Sequence, residues 1–107
     1  MALDAHPQLL RALRTVIDAG SLTAAAEQLG FTQSAVSKQI AALEAEAGAA
    51  LLMRGPRGVQ PTEAGRLLAG HAAAVLDRLD AAMRDLAVLD APVGGRVALG
   101  GFPAAAT

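Results

Sequence analysis

A chain of 107 residues has room for one small domain and an appendage, because a self-sufficient core commonly takes about 100 residues. Apolar residues make up 53% of the chain and charged residues 18%, so most of it is expected to fold. The absence of cysteine excludes disulfides, thiolate zinc sites and cysteine nucleophiles. A formal net charge of −1 argues against nucleic acid as a partner unless basic groups are concentrated on one face.

The sequence offers few signs of a secreted protein, a membrane protein or an enzyme. Asp4 follows the start with no basic and apolar segment after it, and no apolar run approaches the roughly 18 residues of a membrane helix. His6 and His71 stand alone, without the spacing of a metal-binding motif. We expect a cytoplasmic protein that is not an enzyme, with no membrane partner, catalytic residue, metal site or cofactor.

Apolar spacing and helix-end residues predict three short helices in the first half of the chain. Aliphatic residues recur there at steps of three and four. Ser21 and Thr32 are placed to accept main-chain amides as N-caps, and Gly20, Gly30 and Gly48 are natural stops. We predict helices from Pro7 to about Ala19, from Leu22 to Leu29 and from the N-cap Thr32 to about Ala47.

The character of the sequence changes between residues 51 and 62. Two short runs flank the Gly-Pro-Arg-Gly turn at 55–58, which predicts a small β-hairpin. Thr62 is placed as a further N-cap, and no helix breaker follows before Pro92, so about 28 residues can form one helix of roughly 40 Å. After a Pro/Gly linker, residues 96–99 are predicted to form a strand without a partner in this chain.

Residues 21–40 combine two predicted helices, a tight turn and one polar face. The small side chain of Ala26 lets the helices approach and Gly30 turns the chain, which is typical of a helix-turn-helix motif. No acid occurs from residue 28 to 43, whereas an ordinary solvated face mixes both signs. The pattern favours nucleic-acid binding, with a purely structural helical hairpin as the alternative.

These residues, together with those that follow them, resemble the N-terminal winged helix-turn-helix of LysR-type transcriptional regulators. The resemblance covers about residues 8 to 90 without gaps. It is carried by SLTAAAEQL at 21–29, TQSAVSKQI at 32–40, Leu43-Glu44, Gly48, Leu51-Leu52, Arg54, Gly58-Val59 and TEAG at 62–65. The tail at 95–100 is similar to the first strand of the family's effector-binding domain, so the chain looks like a piece of a regulator roughly three times longer.

The resemblance implies a mainly α fold: a winged helix-turn-helix of three helices plus a short β-hairpin wing, followed by a long dimerisation helix. The implied organisation is a DNA-binding domain at 1–61, a linker or dimerisation helix at 62–91, and at 92–107 a hinge and the start of an effector-binding domain that this chain lacks. A small-molecule effector of unknown identity is expected for the full-length protein.

By resemblance, a recognition helix at about 32–47 enters the major groove of double-stranded DNA and a wing at about 51–61 meets the minor groove. Amide, hydroxyl and cationic side chains at these positions can bond base edges or phosphates. For Arg54, a salt bridge that holds the strand is an equal alternative. The implied DNA-binding residues are Ser21, Thr23, Thr32, Gln33, Ser34, Ser37, Lys38, Arg54 and Arg57.

The long helix resembles the family's linker helix, through which two protomers dimerise. Only its first half could reach its own domain. The apolar seam, at heptad-like spacing, consists of Leu68, Ala72, Val75, Leu79, Met83 and Leu86.

The partners implied are a pseudo-palindromic operator, a second copy of the chain, a tetramer at full length and RNA polymerase, with a nucleoid-associated location in the cytoplasm. The alternative function is a helical oligomerisation or interaction module, in which the helix-turn-helix is a scaffold that does not bind DNA.

Overall fold

The computed structural model describes residues 6–90, which form four α-helices and one two-stranded antiparallel hairpin. The helices are α1 (Pro7–Ala19), α2 (Leu22–Leu29), α3 (Gln33–Ala47) and α4 (Glu63–Asp90), and the strands are β1 (Leu52–Gly55) and β2 (Gly58–Pro61). These bounds confirm the predicted helices and hairpin. The segment at 92–107, with its predicted strand, lies outside the described residues. Among residues 6–90, no helix is long and apolar enough to cross a membrane.

Hydroxyl side chains start α2, α3 and α4, as their positions in the sequence predict. Ser21 Oγ accepts a hydrogen bond from the Ala24 amide at 3.1 Å, and Thr32 Oγ1 accepts one from the Ala35 amide at 3.0 Å. Thr62 Oγ1 does the same for the Gly65 amide at 3.0 Å. Each bond satisfies a first-turn donor that has no partner within its own helix, so the start of each helix is fixed locally.

The first three helices pack around one aliphatic core. Leu13 and Val16 of α1 and Val36 and Leu43 of α3 are fully buried, and α2 contributes Ala26 at the point where the helices approach. Gly30, with φ of 76°, makes the tight turn between α2 and α3 in the left-handed region. The core thereby fixes the angle between α2 and α3, and with it the direction of the exposed face of α3.

The hairpin is attached to the helices through β2. Its strands pair in a register that places Leu52 opposite Pro61 and Gly55 opposite Gly58. The Val59 amide donates to the Gly20 carbonyl oxygen at 3.0 Å, which docks β2 on the turn between α1 and α2. The wing is therefore held in place by main-chain contacts as well as by side chains.

Gly58 lies at the closest approach between the wing and the helical core. Its φ is 109°, and a Cβ added there would lie 2.5 Å from the Gly20 carbonyl oxygen. We expect Gly58→Ala to lower the free energy of unfolding by about 1 to 3 kcal/mol. An alanine is strained at this φ, and its Cβ forces the wing to shift away from Gly20. Urea unfolding measures the loss. Gly55→Ala is the matched control, since a Cβ at Gly55 meets no atom within 4 Å. An equal loss of stability in both variants would contradict the role of Gly58 in the close approach between the wing and the core.

The first half of α4 packs against the winged domain. Ala72 and Leu76 are buried, Leu68 is half-buried against the same core, and Gly65 lies against the Leu51 carbonyl, where a Cβ would clash. The sequence assigned Leu68 and Ala72 to the dimer seam. With 1% of its surface exposed, Ala72 offers nothing to a partner, so the assignment of Ala72 to the seam is corrected.

The described residues fall into two units, the first ending at Leu76 and the second beginning at Asp77. The sequence predicts a domain boundary between residues 61 and 62, where the hairpin ends and α4 begins. In the structure, the start of α4 packs with the winged domain instead. In the second unit Leu79, Met83 and Leu86 are exposed. Only the first half of α4 thus contributes to the core, as its length predicted.

Candidate nucleic-acid interface

The exposed face of α3 carries the polar side chains that the sequence placed in the recognition helix. Val36, with Ile40 and Leu43, is buried on the opposite side. Gln33, Ser34 and Lys38 are exposed, and Ser37 is half-buried beside them. Because residues three and four apart share a helix face, Ser34, Ser37 and Lys38 form one continuous surface.

The N-terminus of α3 opens onto this same surface. Thr32 is exposed and its hydroxyl is engaged as the N-cap. The first-turn amides of Gln33 and Ser34 have no acceptor within the helix, and the helix dipole adds positive potential at this end. Such an end is suited to a phosphate group.

Ser21 and Thr23, the predicted contacts at the start of α2, differ in environment. Ser21 is half-buried and caps α2 through its side-chain oxygen, whereas Thr23 is exposed. A capping hydroxyl still carries one hydrogen that it can donate. Both side chains therefore keep the chemistry needed for a phosphate contact.

The wing carries two exposed arginines. Arg54 lies in β1, and Arg57 lies in the turn between the strands. Arg54 Nη2 donates a hydrogen bond to Ser37 Oγ at 3.3 Å, so the guanidinium joins the wing to α3. The sequence left a strand-holding salt bridge or a phosphate contact for Arg54. The sequence analysis did not predict this bond, because no local pattern relates two residues that are 17 positions apart.

The charges near this face are basic. Lys38, Arg54 and Arg57 are all exposed. The nearest acid along α3 is Glu44, whose Oε2 accepts from the Leu51 amide at 2.8 Å, so its charge is engaged at the base of the hairpin. The arrangement suits a polyanion. Across residues 6–90, no cluster of three or more His, Cys, Asp or Glu could hold a metal ion.

Comparison with known proteins identifies the family. Residues 7–66 match the model of the bacterial regulatory helix-turn-helix protein, lysR family. The nitrogen assimilation regulatory protein nac of Escherichia coli is 42% identical over 91 residues, which cover 85% of this chain and 30% of that protein. The probable HTH-type transcriptional regulator LrrA of Synechococcus elongatus is 39% identical over 98 residues, 92% of this chain and 33% of that protein. The chain thus spans about a third of the length of these relatives.

Solved structures give the same assignment for the fold. The CbnR_DBD chain in a DNA complex superposes with a TM-score of 0.71 at 32% identity, over 78% of this chain and 98% of that chain. The BenM_DBD chain in a complex with benA site 1 DNA gives 0.74 at 32% identity, over 78% and 94%. The winged helix-turn-helix with a long C-terminal helix is confirmed, and the chain belongs to the lysR family of bacterial regulatory helix-turn-helix proteins as a LysR-type DNA-binding domain.

Proposed function

We propose that this chain binds double-stranded DNA sequence-specifically as a dimer, with α3 in the major groove and the hairpin wing at the minor groove. The observation that carries the proposal is the continuous surface of Ser34, Ser37 and Lys38 on α3, which a hydrogen bond from Arg54 joins to the wing. This surface is polar, basic and free of acids over the first two turns of the helix. The CbnR_DBD and BenM_DBD structures are DNA complexes of the same fold, which supports this proposal.

Each polar side chain of α3 has a contact that its chemistry favours. Gln33 can bond adenine through its amide, and Lys38 can reach guanine or a phosphate. The hydroxyls of Ser34 and Ser37 can bond bases or phosphates, while amides at the start of α3 bind a phosphate beside Thr32. Ser21 and Thr23 contribute phosphate contacts from α2. Phosphate contacts position the protein and base contacts give it specificity.

The dimer forms through the later turns of α4. Val75, Leu79, Met83 and Leu86 follow one another at steps of four, four and three, and all are exposed in the single chain. Covering such a stripe with the same stripe of a second copy removes apolar surface from water. Two protomers related by a two-fold axis then read two half-sites, so the operator is pseudo-palindromic.

The wider role is that of a transcriptional regulator without catalytic activity. In this scheme the winged domain at 1–61 binds the operator, the helix at 62–91 dimerises, and the segment at 92–107 leads to an effector-binding domain. A small-molecule effector, tetramer formation and contact with RNA polymerase belong to the full-length protein, in the cytoplasm and on the nucleoid.

A second candidate is an interaction module whose functional part is α4. The exposed apolar residues of its second half favour this function, since they would serve a protein partner equally well. The two candidates differ in their behaviour toward random duplex DNA at low salt. A DNA-binding domain retains such DNA through phosphate contacts, whereas a scaffold shows no binding.

Selection of bound duplexes from a random pool tests sequence-specific binding. We expect one enriched, pseudo-palindromic sequence. With that duplex, Gln33→Ala and Lys38→Ala are each compared with the wild-type chain by fluorescence anisotropy. A residue that reads a base costs about 1 to 3 kcal/mol of discrimination, whereas a phosphate contact weakens all sequences alike. Gln8→Ala, an exposed glutamine at the start of α1, is the matched control. Unchanged affinity in both test variants would refute the placement of the recognition face.

A further inference from the structure

The hydrogen bond between Arg54 and Ser37 is an exposed link between the wing and the recognition helix. We propose that Arg54 is a positioning residue, which holds the Ser37 hydroxyl as a hydrogen-bond donor toward DNA and makes wing and helix read the operator as one unit. The proposal rests on the proposed DNA-binding function. It goes beyond that function by assigning a coupling between two contacts that would otherwise act independently.

The link and a main-chain contact of the wing lie at the same level of the hairpin, on opposite strands. At the base, Glu44 Oε2 accepts from the Leu51 amide at 2.8 Å, in a partly buried setting. Val59, the register partner of Arg54, bonds the Gly20 carbonyl oxygen at 3.0 Å. These bonds hold the hairpin at its base and along β2. On β1, the bond from Arg54 Nη2 to Ser37 Oγ is exposed at 3.3 Å, on the side where DNA is proposed to bind.

The chemistry of the two groups determines the role of each. A guanidinium is a donor only, so the Ser37 oxygen must be the acceptor, and its own hydrogen is left for another partner. A cationic donor polarises the hydroxyl and makes that hydrogen a better donor. Ser37 can then donate to acceptors, namely phosphate oxygens, N7 and O6 of guanine, N7 of adenine or O4 of thymine.

Arg54 has further N–H groups that can bind DNA. The guanidinium carries five N–H groups, so a phosphate can be bound while one group remains on Ser37. A lysine ammonium at this position keeps the charge but lacks the planar fork that serves both partners at once. The two roles of Arg54 can therefore be separated by substitution.

A double-mutant cycle tests the coupling, with the duplex that the wild-type chain selects from a random pool as the probe. We expect Ser37→Ala and Arg54→Ala each to raise Kd, and the double variant to raise it by less than the product of the two factors, by about 3-fold or more. The matched control is the cycle of Ser37→Ala with Arg57→Ala, which we expect to be multiplicative. A multiplicative Ser37–Arg54 cycle overturns the proposal.

Arg54→Lys separates positioning from simple charge. In this variant we expect the salt dependence of binding to persist, the preference at the base contacted by Ser37 to fall, and Ser37→Ala to add little further loss. A role in stability alone would lower the urea midpoint and weaken selected and random duplexes equally, which would also overturn the proposal. If the pool yields no enriched sequence, the proposed function itself fails; a multiplicative cycle on an enriched duplex removes only the coupling.

Discussion

We expect Leu79→Asp to leave the chain monomeric and to weaken binding to the selected duplex by about 100-fold or more, because the two half-site contacts of the proposed dimer are then no longer linked. The side chain is 43% exposed in the single chain, beside Met83 at 65% and Leu86 at 56%. In the proposed dimer these groups are covered by their counterparts. A carboxylate placed among them would be desolvated without a partner, which disfavours association. Light scattering gives the molar mass, and fluorescence anisotropy gives the affinity.

The reverse face of the same helix provides the control for this experiment. Val88 is 69% exposed and lies nine residues after Leu79, which at about 100° per residue places it on the opposite side of α4. Val88→Asp makes a similar apolar-to-acid change without entering the proposed seam. We expect it to remain dimeric with wild-type affinity. A dimeric Leu79→Asp variant would refute the seam, and monomers from both variants would point to a general effect of charge on α4.

The residues of the seam also show what sequence periodicity cannot predict. Steps of three and four state which residues share a helix face, but they do not state what covers that face. Ala72 and Leu79 belong to the same stripe by spacing, yet Ala72 is buried in the core of its own domain and Leu79 is exposed. Leu76, fully buried and outside the predicted seam, was missed. Which turns of α4 the domain covers depends on where α4 leaves the hairpin, a tertiary relationship that spacing does not contain.

Local signals were sufficient for the elements themselves. Ser21, Thr32 and Thr62 accept the amides three residues ahead of them, so a short polar residue before an apolar run specified each helix start. The polar face of α3 followed from the same periodicity. The contact between Ser37 and Arg54 did not, because it depends on how the hairpin packs after a long excursion of the chain. Sequence alone thus proposed the members of the candidate site but did not predict the contact between Ser37 and Arg54.

We expect Arg57→Ala to flatten the salt dependence of binding to the selected duplex by nearly 2 units of log-log slope, because the proposed dimer loses two copies of the side chain. Each protomer presents Lys38, Arg54 and Arg57 near the proposed DNA surface, and all three are exposed. At about −0.9 per neutralised phosphate, roughly six contacts in a dimer give a slope near −5. With a net charge of −1, the chain supplies no general attraction to DNA, so each of these contacts weighs heavily.

Affinity measured as a function of salt concentration separates a wing contact from a general loss of positive charge. Arg84→Ala removes the same charge from an exposed position in the later turns of α4, outside the proposed DNA-binding residues, and we expect its slope to match that of the wild type. Arg57 lies in the turn of the wing, where a contact with the backbone or the minor groove of DNA is favoured over a structural role. An unchanged slope for Arg57→Ala would mean that the wing does not touch DNA. Equal flattening in both variants would mean that the slope reports overall charge rather than contacts, because only a side chain at the interface releases counterions locally.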